Sequence, residues 1–84
     1  MSIVAPKDRV SRPVLTRYER ASIVGMRMEQ LQRGALPFVD LPETPTNARE
    51  IAMMEMDQRM LPFIVVRKLP DGRKEHWPLR ELLG

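Results

Sequence analysis

The sequence contains no cysteine, one histidine and four glycines, and aromatic residues make up only 5% of its 84 positions. The absence of cysteine removes disulfides, thiolate metal sites and thiol nucleophiles. The single histidine, His76, stands between Glu75 and Trp77. It reads as a surface strand residue with no catalytic companion. Gly25, Gly34, Gly72 and Gly84 are scattered, so no glycine-rich phosphate loop exists. Glu55 and Asp57 lie two apart on an expected helix and do not face each other. No carboxylate pattern matches a metal-binding loop. No apolar run approaches the roughly 18 residues of a membrane span. Lys7, Asp8, Arg9 and Arg12 interrupt any signal-peptide core. Catalysis, a cofactor, a metal and membrane insertion are therefore not expected.

What is present is a small, mildly basic chain: fourteen Lys and Arg against eleven Asp and Glu, net charge +3. That balance permits contact with nucleic acid or with an acidic protein surface. A domain of this size buries only roughly 60–65% of its unfolded surface and is marginal by itself. Few rings fill its core, and seven methionines pack adaptably but specify geometry poorly.

Residues 1–15 carry Pro6 and Pro13 among alternating charges and read as a flexible tail, with a strap along a partner as the alternative. Residues 16–31 read as one helix. Thr16 and Glu19 have the spacing of a capping box. Val24, Met28, Leu31 and Ala35 form one apolar stripe, and Arg20 and Arg27 a basic one. Gly25 sits in the middle, where glycine costs about 1 kcal/mol relative to alanine. A partner packed against the backbone would explain it. Gly34 stops the helix, and Pro37, Pro42 and Pro45 make residues 34–46 an ordered loop. Phe38, Val39 and Leu41 within it could cover the core or touch a partner, with the core favoured slightly. Asn47 and Glu50 open a second helix bearing Ile51 and Met54, closed by Arg59. Leu61 to Leu69 reads as a strand whose Phe63–Val66 half is apolar on both faces and hence buried. Pro70-Asp71-Gly72 has hairpin-turn chemistry. Its register sets Arg67 opposite Glu75 and Val65 opposite Trp77. Pro78 opens a short last helix, Leu79 to Leu83.

The first helix, T-R-Y-E-R-A-S-I-V-G-M-R-M-E-Q-L, resembles the first helix of the omega-type small subunits of multisubunit RNA polymerases. That family includes archaeal subunit K and the small subunit shared by the eukaryotic nuclear polymerases. Thr16, Tyr18, Glu19, Arg20, Ala21, Gly25, Arg27 and Gln30 fall at the family spacing. The similarity continues through Glu43, Ile51, Ala52, Glu55, Pro62, Arg67, the Leu69–Gly72 turn, Glu75 and Trp77. The resemblance implies an α+β, omega-like domain over residues 16–84, with two main helices, a C-terminal hairpin and a short last helix. It implies a non-catalytic subunit that promotes assembly by clamping the largest polymerase subunit, needs no cofactor, and meets DNA only through the complex. No homo-oligomer is expected, and the location implied is intracellular, nucleus or cytoplasm, with a viral factory or virion open. Thr16, Tyr18, Glu19, Arg20, Gly25, Arg27, Gln30, Pro62, Arg67 and Trp77 are the implied partner-binding residues, with Arg20, Arg27 and Gln30 as interface donors. The alternatives are a small basic nucleic-acid-binding module and a regulator that mimics the omega fold.

Overall fold

The computed structural model describes residues 3–44 and 46–82. Its order is a single 3₁₀ turn at Pro6–Asp8, helix α1 (Arg17–Gln32), helix α2 (Ala48–Asp57), strands β1 (Ile64–Lys68) and β2 (Lys74–Pro78), and a 3₁₀ turn at Leu79–Glu81. The expected α+β architecture is present. The chain divides into two compact units, one made of Thr16–Leu61 and the other of Met1–Leu15 with Pro62–Gly84. The expected C-terminal end of the last helix, Leu83, lies outside the described residues.

In the Thr16–Leu61 unit, both halves of the capping box form. Thr16 Oγ1 accepts from the Glu19 amide at 3.0 Å, and Glu19 Oε1 accepts from the Thr16 amide at 3.0 Å. Each bond satisfies a donor that the first helical turn leaves over. The helix ends where Gly34 takes φ 102°, a left-handed conformation that L side chains resist. Asn47 caps α2 through the Glu50 amide at 2.9 Å. The two helices pack on Ile23, Ala52, Met56 and Leu61. The deepest positions of α1 are Ile23 and Arg27. The stripe Val24, Met28, Leu31 and Ala35 lies beside that line and is half-buried. In the loop, Phe38 and Leu41 are exposed, contrary to expectation.

In the other unit, β1 and β2 pair antiparallel in the expected register, Arg67 with Glu75 and Val65 with Trp77. Gly72 holds φ 91°, and the Leu69 amide donates to the Arg73 carbonyl at 2.8 Å to close the loop. Asp71 adds a side-chain turn, accepting from the Arg73 amide at 3.0 Å. The strand is shorter than expected, and Pro62 precedes it. The run Ile64–Val66 is also not buried on both faces: Ile64 is 60% and Val66 52% exposed. A two-stranded sheet has one covered face, and here Val65, Arg67, Glu75 and Trp77 occupy it.

The covering comes from the stretch expected as a flexible tail. The Val4 amide donates to the Lys74 carbonyl at 2.8 Å, and the Leu15 amide to that of Leu82 at 3.2 Å. Glu75 is fully buried. Its carboxylate accepts from the Val10 amide at 2.7 Å, the Ser11 amide at 3.4 Å, the Ser11 hydroxyl and Trp77 Nε1 at 2.9 Å. Arg67 donates to Ser11 Oγ at 3.1 Å and to the Val14 carbonyl at 2.8 Å. The Arg9 guanidinium lies 4.2 Å from the Trp77 ring centroid, a cation–π placement. The physical reason for the difference is that peptide amides from the leader satisfy a carboxylate that the hairpin itself buries.

These donors hold the Glu75 carboxyl down at about 2 from its ordinary 4.5. The Ser11 hydroxyl contributes most. Burial opposes it, and the Val10 and Ser11 amides and the Trp77 indole reinforce it. A folded value below the unfolded one gives stability that is complete above about 4.5 and is lost as pH falls towards 2. The thermal midpoint of the chain should therefore fall through that window. Glu75→Gln should start lower at neutral pH and decline less steeply, as a pH series of thermal unfolding curves would show.

Candidate functional site

Arg27 is the one charged residue of α1 that the fold turns inward. It is 3% exposed, and Glu55 of α2 is 0% exposed. Arg27 Nε donates to Glu55 Oε1 at 2.6 Å, and a terminal nitrogen donates to Oε2 at 2.9 Å. This is the two-point geometry that suits guanidinium to carboxylate. The remaining donors reach Gln30 Oε1 at 3.1 Å and the Leu36 carbonyl at 3.0 Å. Glu55 Oε2 also accepts from the Phe38 amide at 2.7 Å, and the Phe38 ring lies 4.5 Å from the guanidinium. The Arg27 bond keeps the Glu55 carboxyl below the ordinary range despite burial, and the Phe38 amide helps. Arg27 is raised in turn, chiefly by the same bond.

The residues expected to bind a partner are thus split in role. Thr16 and Glu19 cap α1, and Arg27 and Gln30 are joined in the interior network. The reading of Arg27 as an outward-facing donor is replaced by an internal one, because Glu55 supplies a carboxylate at the depth where Arg27 points. Tyr18 is 81% exposed. Arg20 is partly exposed and pairs with Asp57 at 3.1 Å. Gly25 lies on the open side of α1, and an added Cβ would meet nothing within 4 Å. In the other unit, Pro62 is exposed, Arg67 binds the leader, and Trp77 is buried beneath Arg9.

An open groove of about 550 Å³ runs over the two helices of the Thr16–Leu61 unit, lined by Arg17, Arg20, Ala21, Val24, Gly25, Met28, Arg49 and Met53. Of these, Arg49 carries no local signal in the sequence. The α1 half was legible in part, as Val24 and Met28 of the apolar stripe, Arg20 of the basic one, and Gly25. The α2 half was not, since nothing local says which face of α2 meets α1. Among the described residues, no cluster of three or more His, Cys, Asp or Glu could hold a metal ion, and no helix is long and apolar enough to cross a membrane.

Comparison with known proteins decides the lineage. The family model for RNA polymerase Rpb6 matches residues 9–63. The chain belongs to the Rpb6 family. It is 45% identical over 80 residues to subunit RPABC2 of DNA-directed RNA polymerases I, II and III of Schizosaccharomyces pombe, covering 95% of this chain and 56% of that protein. The Saccharomyces cerevisiae RPABC2 is 44% identical over 79 residues, covering 93% of this chain and 50% of that protein. The archaeal subunit Rpo6 of Pyrobaculum aerophilum is 46% identical over 72 residues, covering 84% of this chain and 68% of that protein. The chain spans about half the length of the eukaryotic relatives it matches.

Removing one member of a buried ion pair strands the other, at a cost of about 3–5 kcal/mol. Arg27→Met and Glu55→Met should each lose that much in chemical denaturation. The double variant should lose clearly less than the sum, since neither charge is then left alone.

Proposed function

We propose that this Rpb6-family chain is a non-catalytic subunit of a multisubunit DNA-directed RNA polymerase that promotes assembly and stability by clamping the largest subunit. The observation that carries the reading is the 45% identity over 95% of the chain to a shared subunit of the three nuclear polymerases. The chemistry of the chain agrees. Catalytic bases operate best with a pKa near the working pH. Glu55, Asp71 and Glu75 are all shifted the other way, downward, by bonds that serve the fold. Buried carboxylates here hold segments of chain together.

Clamping needs no chemistry. A protein that binds only the folded form of its partner stabilises that form, by about 2.7 kcal/mol when present at a hundred times its dissociation constant. Two compact units on one short chain suit such a task, since each can hold a different stretch of the largest subunit. DNA is then met only through the assembled enzyme. Mixed surface charge and few stacking rings argue against a free-standing nucleic-acid module.

Co-expression of the tagged chain with the largest polymerase subunit of the same organism tests the reading. The expected result is recovery of that subunit and a higher soluble yield than without the chain. Recovery of none of it, together with tight, sequence-discriminating oligonucleotide binding by the chain at physiological salt, would overturn the reading in favour of the nucleic-acid module.

A further inference from the structure

Ser11 ties the leader to the hairpin through both capacities of its hydroxyl. Its O–H donates to Glu75 Oε1, and its oxygen accepts from a terminal nitrogen of Arg67 at 3.1 Å. The Val10 and Ser11 amides reach the other oxygen of the same carboxylate, at 2.7 and 3.4 Å. Apolar packing adds little. Of residues 3–15, Val4 alone is buried, while Val10 is 72% and Val14 56% exposed. The leader is therefore held by polar bonds, several of them centred on one buried carboxylate. A segment held in this way opens locally while the rest of the chain stays folded.

The sequence around Ser11 has a one-sided charge. Arg9 and Arg12 flank it, Arg17 follows, and no acidic residue falls between Asp8 and Glu19. Serine kinases choose their substrates in part by such charge patterns, an acidic groove accepting an arginine-flanked segment.

We infer that Ser11 is a phosphorylation site for an arginine-directed serine kinase, and that its phosphorylation releases the leader from the hairpin. The Ser11 oxygen attacks the γ-phosphorus of ATP. The bond from that phosphorus to its bridging oxygen breaks, ADP leaves, and the hydroxyl proton passes to the kinase's base. The resulting ester has no hydrogen left to donate to Glu75, and it brings about two negative charges of its own. With the carboxylate, about three negative charges then face the Arg67 guanidinium in a place with little water. Arg9 is already engaged: it stacks on Trp77 at 4.2 Å, donates to the His76 carbonyl and pairs with Glu81 at 3.4 Å. Like charges at this depth repel strongly, and undocking the leader separates them. The hairpin face of Val65, Arg67, Glu75 and Trp77 is then uncovered. This switch does not rest on the polymerase-subunit reading, because leader and hairpin belong to one compact unit of this chain.

The test uses the full chain in three forms: unmodified, treated with ATP and an arginine-directed serine kinase, and made with phosphoserine incorporated at position 11. Mass spectrometry of the treated chain should place the phosphate on Ser11, and Ser11→Ala should remove it. In the phosphoserine chain, hydrogen exchange at the Val10 and Ser11 amides should rise at least about tenfold. Emission from Trp77, the sole tryptophan, should shift to the red. Exchange in α1 should stay as in the unmodified chain, which marks release of the leader rather than unfolding. In a Glu75→Gln background the rise on phosphorylation should be much smaller, since the repelling charge is gone. A kinase that modifies a peptide of residues 3–15 but leaves the folded chain untouched would overturn the inference. Protection of the Val10 and Ser11 amides kept or increased by phosphate would do so too, as Arg67 would then be clamping it. So would a rise as large with Gln at position 75 as with Glu, or a loss of protection that spreads to α1.

Discussion

The Thr16–Leu61 unit depends on one buried ion pair. Arg27 and Glu55 stand on different helices, and neither has water to fall back on. Taking two charges out of water is expensive, and only good geometry with every lone pair and proton used offsets it. The structure meets that demand by recruiting the loop as well. The Phe38 amide and the Leu36 carbonyl complete the network, so the Leu36–Phe38 stretch of the connection is held by the same pair that joins the helices. The pair also settles orientation. With Ile23 and Arg27 facing inward, α1 has no rotational freedom left, and Ala21, Gly25 and Met28 line a groove on its open side.

The other unit repeats the device with different parts. Glu75 is buried on the hairpin and finds its donors in the leader and in Trp77. A chain with 5% aromatics and seven methionines has few rigid rings with which to specify geometry. Directional bonds to buried carboxylates supply the specificity that such a core lacks. The consequence for function is that the two buried carboxylates, Glu55 and Glu75, are structural, and the surface left for a partner carries charges of both signs.

Much of this was legible locally. The Thr16–Glu19 box, the Asn47 cap and the Pro70–Gly72 turn are short-range signals with one physical meaning each, and each element they mark is present. The hairpin register followed from the turn. What was not legible required a partner distant in sequence. Arg20 and Arg27 fall on nearly the same helical face, yet one is exposed and the other buried, because Glu55 lies opposite only the second. The apolar run at Ile64–Val66 gave no sign that a two-stranded sheet would cover only one face. The leader looked unanchored because its anchor, Glu75, lies more than sixty residues away. The groove was half-visible for the same reason, as α1 alone does not reveal Arg49 and Met53.

The central claim is that Arg27 belongs to the interior and not to a partner-facing surface. Nitrogen-15 NMR of the arginine side chains in the free chain tests it most directly. The Arg27 Nε–H should give a resolved, shifted signal that exchanges slowly with solvent and shows a contact to the Phe38 ring, and it should persist as the solution is acidified below the ordinary carboxylate range, because Glu55 is held below that range. An Arg27 signal that exchanges as fast as those of Arg17 and Arg49 would contradict the account.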